Sequence, residues 1–249
     1  MSIKPLAMRD VFLEKIWQEM SVDFLIFFVS ADFGSPVLDK IRRDFPDRFI
    51  NVGIAEQNLI NITAGLAIEG YKVFAYAIAP FITMRCYEQI RVSLALLSEV
   101  RPMNVNLIGV GAGYSYVVSG PTHQCYEDIT IMRALPNFQV LSPADHITAA
   151  SLFDGCVANT GLRYLRFDAQ VQPILYPLEA PTVSDGFYLY QKGDKVCFIS
   201  TGFMTHTALK VAEKINKIGF KVGIIDIFDI TNFTREGLKK VLESYSAIV

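Results

Sequence analysis

The sequence lacks an excess of basic residues and has few cysteines, and these two shortages exclude several classes of protein. Its 23 Lys and Arg residues against 25 Asp and Glu residues give a formal net charge of −2. Binding to a phosphate backbone normally requires surplus Lys and Arg, so nucleic acid is excluded as the main partner. The four cysteines form no CxxC pair and lie in apolar or helical stretches, which predicts reduced, structural thiols.

Long apolar runs are also missing. The longest, such as residues 24–29 (FLIFFV), fall far short of the ~20 residues that cross a bilayer. The N-terminal segment carries Arg and Asp within an amphipathic pattern and lacks the uninterrupted apolar core of a secretory signal. We therefore expect no membrane association and a cytoplasmic location.

What the sequence contains is an alternation of short apolar runs with amphipathic stretches. This pattern is typical of the α/β class and predicts a parallel six-stranded sheet with helices on both faces. The predicted strands are 24–31, 49–53, 72–79, 105–110, 138–142 and 163–167. The predicted helices are 8–20, 36–44, 56–69, 83–99, 126–135 and 147–159.

Three prolines mark a change of pattern after this first domain. Pro173, Pro177 and Pro181 lie in a stretch with neither helical nor strand periodicity, which predicts a linker at 171–186 between domains 1–170 and 187–249. For the second domain we predict strands at 195–201, 221–227 and 246–249, and helices at 205–218 and 234–244. Because the chain stops in a predicted strand, we expect this smaller α/β domain to be truncated.

Several polar residues follow predicted strands, where open parallel sheets bind their ligands. Glu56 begins a predicted helix; it is either a functional carboxylate or a residue that interacts favourably with the helix dipole. His123 follows the turn made by residues 120–122 and is either a proton-transferring group or a structural one. Arg166 ends a predicted strand and faces a substrate phosphate, Asp168 or a neighbouring subunit.

Four segments, taken in order, resemble the pyrimidine-binding domain of transketolase and of deoxyxylulose phosphate synthase. They are RFINVGIAEQN (48–58), FITMRCYEQ (81–89), SGPTHQ (119–124) and YLRFD (164–168). The two-domain layout is similar as well, since the second domain resembles the start of the C-terminal domain of that family. The resemblance implies that thiamine diphosphate is the cofactor and that the cofactor carries the carbanion chemistry.

The resemblance also implies roles for the cofactor-binding residues. Glu56 is similar to the glutamate that contacts N1′ of the aminopyrimidine and acts in catalysis. Phe81 is similar to the aromatic residue that stacks on the pyrimidine, and Tyr87 lines the same pocket. Asp32 resembles an acidic residue near the thiazolium ring. On sequence patterns alone, the two aromatic residues fit a hydrophobic core equally well.

For the substrate, the resemblance implies a second set of residues. His123 hydrogen-bonds the substrate or the developing alkoxide, while Arg166 and Arg85 lie on the side of a sugar phosphate. Ser119 stands where transketolases have an aspartate that recognises a sugar hydroxyl, and Gly111 stands where many have a histidine. Losing a charge-assisted hydrogen bond removes on the order of 1.5–3 kcal/mol of discrimination, which predicts a dedicated or modified sugar.

The family's GDG motif and its downstream asparagine, which bind Mg²⁺ and the diphosphate, are absent. The resemblance therefore implies a partner, the N-terminal diphosphate-binding subunit, which supplies the Mg²⁺ ligands; this chain supplies none. The expected assembly is α2β2 or a homodimer of this half, acting on a sugar or sugar phosphate.

The predicted activity is the transfer of a two-carbon ketol unit between sugars. Three alternatives stay open: the β subunit of a 2-oxoacid dehydrogenase, a synthase that condenses pyruvate with an aldehyde, and a non-catalytic scaffold subunit. The GPTHQ wording disfavours the dehydrogenase, and the presence of Glu56 disfavours the scaffold. A dinucleotide-binding oxidoreductase is disfavoured because the first predicted strand ends in SADFGSP, without a glycine fingerprint.

Overall fold

The first domain is built on a parallel six-stranded sheet. The computed structural model describes residues 4–176 and 183–249. The strands are β1 (Ile26–Ser30), β2 (Phe49–Asn51), β3 (Lys72–Ile78), β4 (Asn104–Val110), β5 (Phe138–Leu141) and β6 (Gly161–Phe167). They run in the order β2-β1-β3-β4-β6-β5. The six predicted strands and the predicted α/β class are confirmed.

Helices cover both faces of this sheet. They are α1 (Met8–Glu19), α2 (Pro36–Asp44), α3 (Glu56–Ile68), α4 (Ala79–Thr83), α5 (Tyr87–Gln89), α6 (Asp128–Arg133), α7 (His146–Ser151) and α8 (Phe153–Ala158). Alternate residues of β3 enter two separate cores: Val73 and Ala75 pack on the side of α3, whereas Phe74 and Tyr76 pack on the side of α1. This alternation follows from the two-residue period of a strand.

Two predicted helices are interrupted. The predicted helix 83–99 is wrong as one unit, because α4 ends at Thr83 and α5 leads into π-helical and 3-10 turns. Thr83 Oγ1 donates to the carbonyl of Ala79 at 2.7 Å, and such back-bonding tends to bend a helix. The predicted helix 147–159 is divided into α7 and α8, and Ser151 makes the same kind of bond to Thr148 at 2.7 Å.

The second domain contains a four-stranded sheet in the order β10-β8-β9-β7. Its elements are β7 (Phe187–Gln191), β8 (Val196–Ser200), α9 (Phe203–Asn216), β9 (Val222–Ile227), α10 (Arg235–Leu242) and β10 (Ala247–Ile248). Strand β7 was not predicted; it pairs antiparallel with β9, so no crossover helix precedes it. The sheet is therefore larger and more mixed than expected.

The predicted linker packs against the second domain. Residues 171–176 form neither helix nor strand, and residues 177–182 of the linker lie outside the described residues. Tyr176 is buried, and its hydroxyl donates to Asp226 Oδ2 at 2.5 Å. The backbone N–H of Ser142 donates to the carbonyl of Phe228 at 2.7 Å, which adds a direct contact between the domains.

Within the two described ranges, none of the helices combines the length and the apolar character needed to cross a bilayer.

Candidate active site

The predicted site residues gather at the edge where the parallel strands end. Asp32 follows β1, Glu56 follows β2, Phe81 follows β3, His123 lies in the loop after β4, and Arg166 lies near the end of β6. Ligands of open parallel sheets bind at this edge. The topology thus brings five segments that are distant in sequence to one side of the molecule.

Glu56 is a buried carboxylate paired with a more exposed cation. It occupies the first position of α3, where the adjacent N-cap residue, Ala55, makes no side-chain cap. Arg85 Nη1 donates to Glu56 Oε2 at 2.7 Å; the Glu56 side chain is 3% exposed and that of Arg85 is 43% exposed. The first turn of a helix also favours negative charge. The carboxylate therefore depends on a partner that reaches it from the solvent side.

An aromatic face continues this arrangement. The guanidinium of Arg85 lies over the ring of Phe81, 4.1 Å from the ring centroid. The ring of His123 meets Phe81 edge-on, with centroids 5.2 Å apart. Glu56, Arg85, Phe81 and His123 thus form a continuous series of contacts, which we call the Glu56–His123 row.

His123 is held by neighbours on two further sides. Its Nδ1 lies 3.0 Å from Thr122 Oγ1, and the ring of Tyr116 lies edge-on at 6.3 Å. Tyr116 fills the space that a Cβ at Gly111 would need, and Gly111 has φ +87°. Sequence reasoning missed Tyr116; the only local signal was the unusual glycine five residues before it.

Arg166 belongs to a different pair. Its Nε donates to Asp128 Oδ2 at 2.8 Å, and the hydroxyl of Tyr164 donates to the same oxygen at 2.9 Å. The Asp128 side chain is fully buried and that of Arg166 is 15% exposed. Neither Asp168 nor another subunit is needed to pair Arg166, since Asp128, which sequence reasoning missed, does so.

Arg166 also lines a cavity of about 640 Å³ between the two domains. Asp168 lies on the same wall, and burial raises the pKa of its carboxyl group. Tyr114 and Tyr126 stack on each other across 5.3 Å in the cavity wall. A guanidinium, a carboxylate and aromatic surface together suit a small polar ligand.

Three predicted residues do not join the Glu56–His123 row. Asp32 is exposed, has φ +53°, and accepts a hydrogen bond from Asn51 Nδ2 at 2.9 Å. Tyr87 packs against the core, and its hydroxyl donates to the carbonyl of Ile131 at 2.9 Å. Ser119 is exposed in the loop after β4, beside the turn that carries His123.

The row fits the aminopyrimidine end of thiamine diphosphate. A buried carboxylate and an aromatic face already hold a planar group with N–H donors, which is the donor set that an aminopyrimidine ring presents. For a metal the result is different: across residues 4–176 and 183–249, no group of three or more His, Cys, Asp or Glu side chains is arranged to hold an ion.

The fold and this site define a two-domain α/β protein that presents a ligand-binding edge of a parallel sheet. The family model of the transketolase pyrimidine-binding domain matches residues 4–170, and that of the transketolase C-terminal domain matches residues 188–249. The chain belongs to the transketolase family.

Individual relatives agree with this assignment. One of the two subunits of an apulose-4-phosphate transketolase from Actinobacillus succinogenes is 28% identical, over 90% of this chain and 71% of that protein. A 6-deoxy-6-sulfo-D-fructose transketolase subunit from a Clostridium species is 26% identical, over 97% of this chain and 74% of that protein. Among solved structures, a split gene transketolase described as an inactive beta4 tetramer has a TM-score of 0.86 and 27% identity, over 98% of this chain and 79% of that chain.

Proposed function

We propose that this chain is the pyrimidine-binding subunit of a split, thiamine-diphosphate-dependent transketolase that transfers a two-carbon ketol unit between sugars. The observation that carries the proposal is the buried carboxylate of Glu56, which faces the same guanidinium as the ring of Phe81. When bound, the cofactor supplies the carbanion chemistry. The chain supplies orientation and the placement of protons.

Glu56 is the catalytic carboxylate in this proposal. Its Oε atoms hold N1′ of the aminopyrimidine and keep a proton at that nitrogen, while Phe81 supports the face of the ring. Burial of the carboxylate strengthens such a hydrogen bond because little water competes for it. We assign Asp32 to the thiazolium side and Tyr87 to the wall of the pocket.

His123 is the second catalytic residue in this proposal, and it acts on the substrate. Phe81 and Tyr116 restrict the imidazole from two directions, so the ring can present a nitrogen to a substrate oxygen without a large loss of side-chain entropy. Arg166 and Arg85 are assigned to the anionic end of the sugar. Ser119 is assigned to a sugar hydroxyl.

The substrate class is a dedicated or modified sugar, phosphorylated or otherwise. Two relatives are named for apulose 4-phosphate and for 6-deoxy-6-sulfo-D-fructose. In this chain Ser119 and Gly111 occupy positions where the resemblance implies an aspartate and a histidine in transketolases, and Tyr116 takes the space beside Gly111. A substrate pocket with these changes favours a sugar that differs from the ordinary pentose phosphates.

The partner is an N-terminal, diphosphate-binding transketolase subunit that supplies the ligands of Mg²⁺. Exposed apolar side chains surround the site, namely Ile54 (78% exposed), Val117 (74%) and Val118 (fully exposed). Apolar groups clustered beside a functional edge are typical of an interface with another subunit. The assembly is α2β2 or a homodimer of this half, with a cytoplasmic location and domains bounded at residues 170 and 187.

The test is reconstitution with the candidate partner, a chain that carries the GDG motif. We expect thiamine diphosphate and Mg²⁺ to support ketol transfer by the pair, measured by product analysis. Glu56→Ala should lower turnover on the order of 10²–10⁴-fold, because a positioned proton-transfer group is lost, while assembly with the partner is retained. Glu88→Ala is the matched control, since Glu88 pairs with Arg91 on the surface. Normal ketol transfer by Glu56→Ala would overturn the assignment.

A further inference from the structure

Arg85 contacts both groups to which the proposed function assigns the aminopyrimidine. Its Nη1 lies 2.7 Å from Glu56 Oε2, and its guanidinium lies 4.1 Å from the centroid of Phe81. A guanidinium is planar, carries several N–H donors and stacks on aromatic faces. An aminopyrimidine is also planar and carries N–H donors. The two groups therefore require the same carboxylate oxygen and the same face of the ring.

We propose that Arg85 is a displaceable positioning residue, which occupies the aminopyrimidine place in the cofactor-free chain and leaves it when the cofactor binds. The inference rests on the proposed function, because it takes Glu56 and Phe81 as the cofactor contacts. It adds that the cleft of the isolated chain is closed by one of its own side chains.

The surroundings of Arg85 allow this movement. The residue lies in the turn between α4 and α5, and its side chain is 43% exposed. Its carbonyl accepts a hydrogen bond from Gln57 Nε2 at 3.3 Å, which anchors the backbone while the side chain turns into solvent. A surface arginine loses little when its charge returns to water.

The partner that remains explains why the place is filled at all. A buried carboxylate without a counter-charge is strongly unfavourable, so Glu56 must be paired whenever the cofactor is absent. Arg85 meets this need in the free chain, and the aminopyrimidine meets it in the loaded one. Cofactor binding is therefore an exchange of partners on Glu56, and the cost of releasing Arg85 lowers the affinity.

Thiamine without its diphosphate is the suitable probe, because it requires only the pyrimidine end of the site. Its affinity for the full chain, without a partner, is measured by calorimetry. We expect Arg85→Met to bind thiamine at least about 10-fold more tightly than the unaltered chain, since no ion pair has to be broken. Arg85→Lys, which keeps the charge and loses the planar fork, should lie between them.

Arg91→Met is the matched control, because Arg91 pairs with Glu88 at 2.9 Å on the surface and lies over no aromatic ring. It should bind thiamine as the unaltered chain does. Thermal unfolding of every variant separates a change at the site from a change in folding. A purely structural role for Arg85 would lower thiamine affinity and melting temperature together, whereas the proposal requires affinity to rise.

Equal or weaker binding of thiamine by Arg85→Met, or no detectable binding, would overturn the inference. The double variant Arg85→Met, Glu56→Ala separates this outcome from failure of the proposed function. If Arg85→Met gains affinity and the double variant loses it, both proposals stand. If the double variant binds as tightly as Arg85→Met, Glu56 is not the cofactor contact and the proposed function fails. If Glu56→Ala abolishes ketol transfer in the assembled pair while Arg85→Met gains no affinity for thiamine, only the inference about Arg85 fails.

Discussion

Two arginine–carboxylate pairs lie at the same edge of the sheet, and they differ in how their partners are held. In both, one N–H donates to a buried carboxylate oxygen at 2.7–2.8 Å. Asp128 binds Arg166 and also Tyr164, and both partners are largely or fully buried. Glu56 binds an arginine that is 43% exposed.

The difference separates a structural pair from an exchangeable one. Releasing Arg166 would leave a buried carboxylate and a largely buried cation without partners, whereas releasing Arg85 returns a surface side chain to water. Equal bond lengths thus conceal unequal consequences. The environment of the cation decides which carboxylate can accept a ligand.

The largest expected effect on stability is at the structural pair. Asp128→Asn should lower the free energy of unfolding by about 3 kcal/mol, because the charge of Arg166 loses its counter-charge in a buried place. Glu56→Gln, the matched change at the exchangeable pair, should lower it by about 1 kcal/mol or less. Urea denaturation of the two variants measures both values. Similar losses for the two variants would remove the distinction between the pairs.

A third carboxylate extends the comparison, because Asp226 is buried with no cation beside it in the described parts of the chain. It accepts hydrogen bonds from Tyr176 at 2.5 Å and from Thr205 at 2.7 Å, and burial raises its pKa to about 7. The folded chain therefore holds a proton that the unfolded chain, with a pKa near 3.9, has lost. The contribution of this group to the free energy of unfolding must fall as pH rises from about 4 to about 7.

Asp226→Asn should remove this contribution, which amounts to up to about 2 kcal/mol between pH 5 and pH 7. The measurement is urea denaturation of both chains across that range, with Asp194→Asn, an exposed position in the same domain, as the control. An unchanged pH dependence in Asp226→Asn would show that Asp226 is ionised in the folded chain throughout.

A smaller effect is expected at the far end of the Glu56–His123 row. His123→Ala should lower kcat/KM of the assembled enzyme about 10- to 100-fold and leave the affinity for thiamine diphosphate almost unchanged, because His123 contacts Phe81 and not Glu56. Steady-state kinetics and cofactor titration of the same variant test both parts. A large loss of cofactor binding would place His123 with the cofactor.

Much of the fold could be predicted because local signals agree with the tertiary structure. Helix α2 begins and ends as predicted, since Ser35 caps it through the N–H of Val37 and Pro36 occupies its first turn. Strand β7 was missed although its sequence, FYLYQ, is rich in strand-forming residues. It follows the predicted linker directly, and an antiparallel edge strand lacks the crossover helix that marked the other strands.

The candidate site was predictable in its members and not in its connections. The segments that carry Glu56, Phe81, His123 and Arg166 stand out because each follows a strand. The partners of Glu56 and Arg166 lie 29 and 38 residues away along the chain, so nothing local in the sequence joins them. The position of Tyr116 depends on the space beside Gly111, which only the folded backbone defines.

The most direct test of this account is a crystal structure of the chain with its partner subunit, thiamine diphosphate and Mg²⁺. We predict that Glu56 contacts the aminopyrimidine, that Arg85 lies beyond hydrogen-bond distance of Glu56, and that Arg166 Nε stays within about 3 Å of Asp128. An Arg85 side chain still bound to Glu56 beside a fully occupied cofactor site would contradict the account.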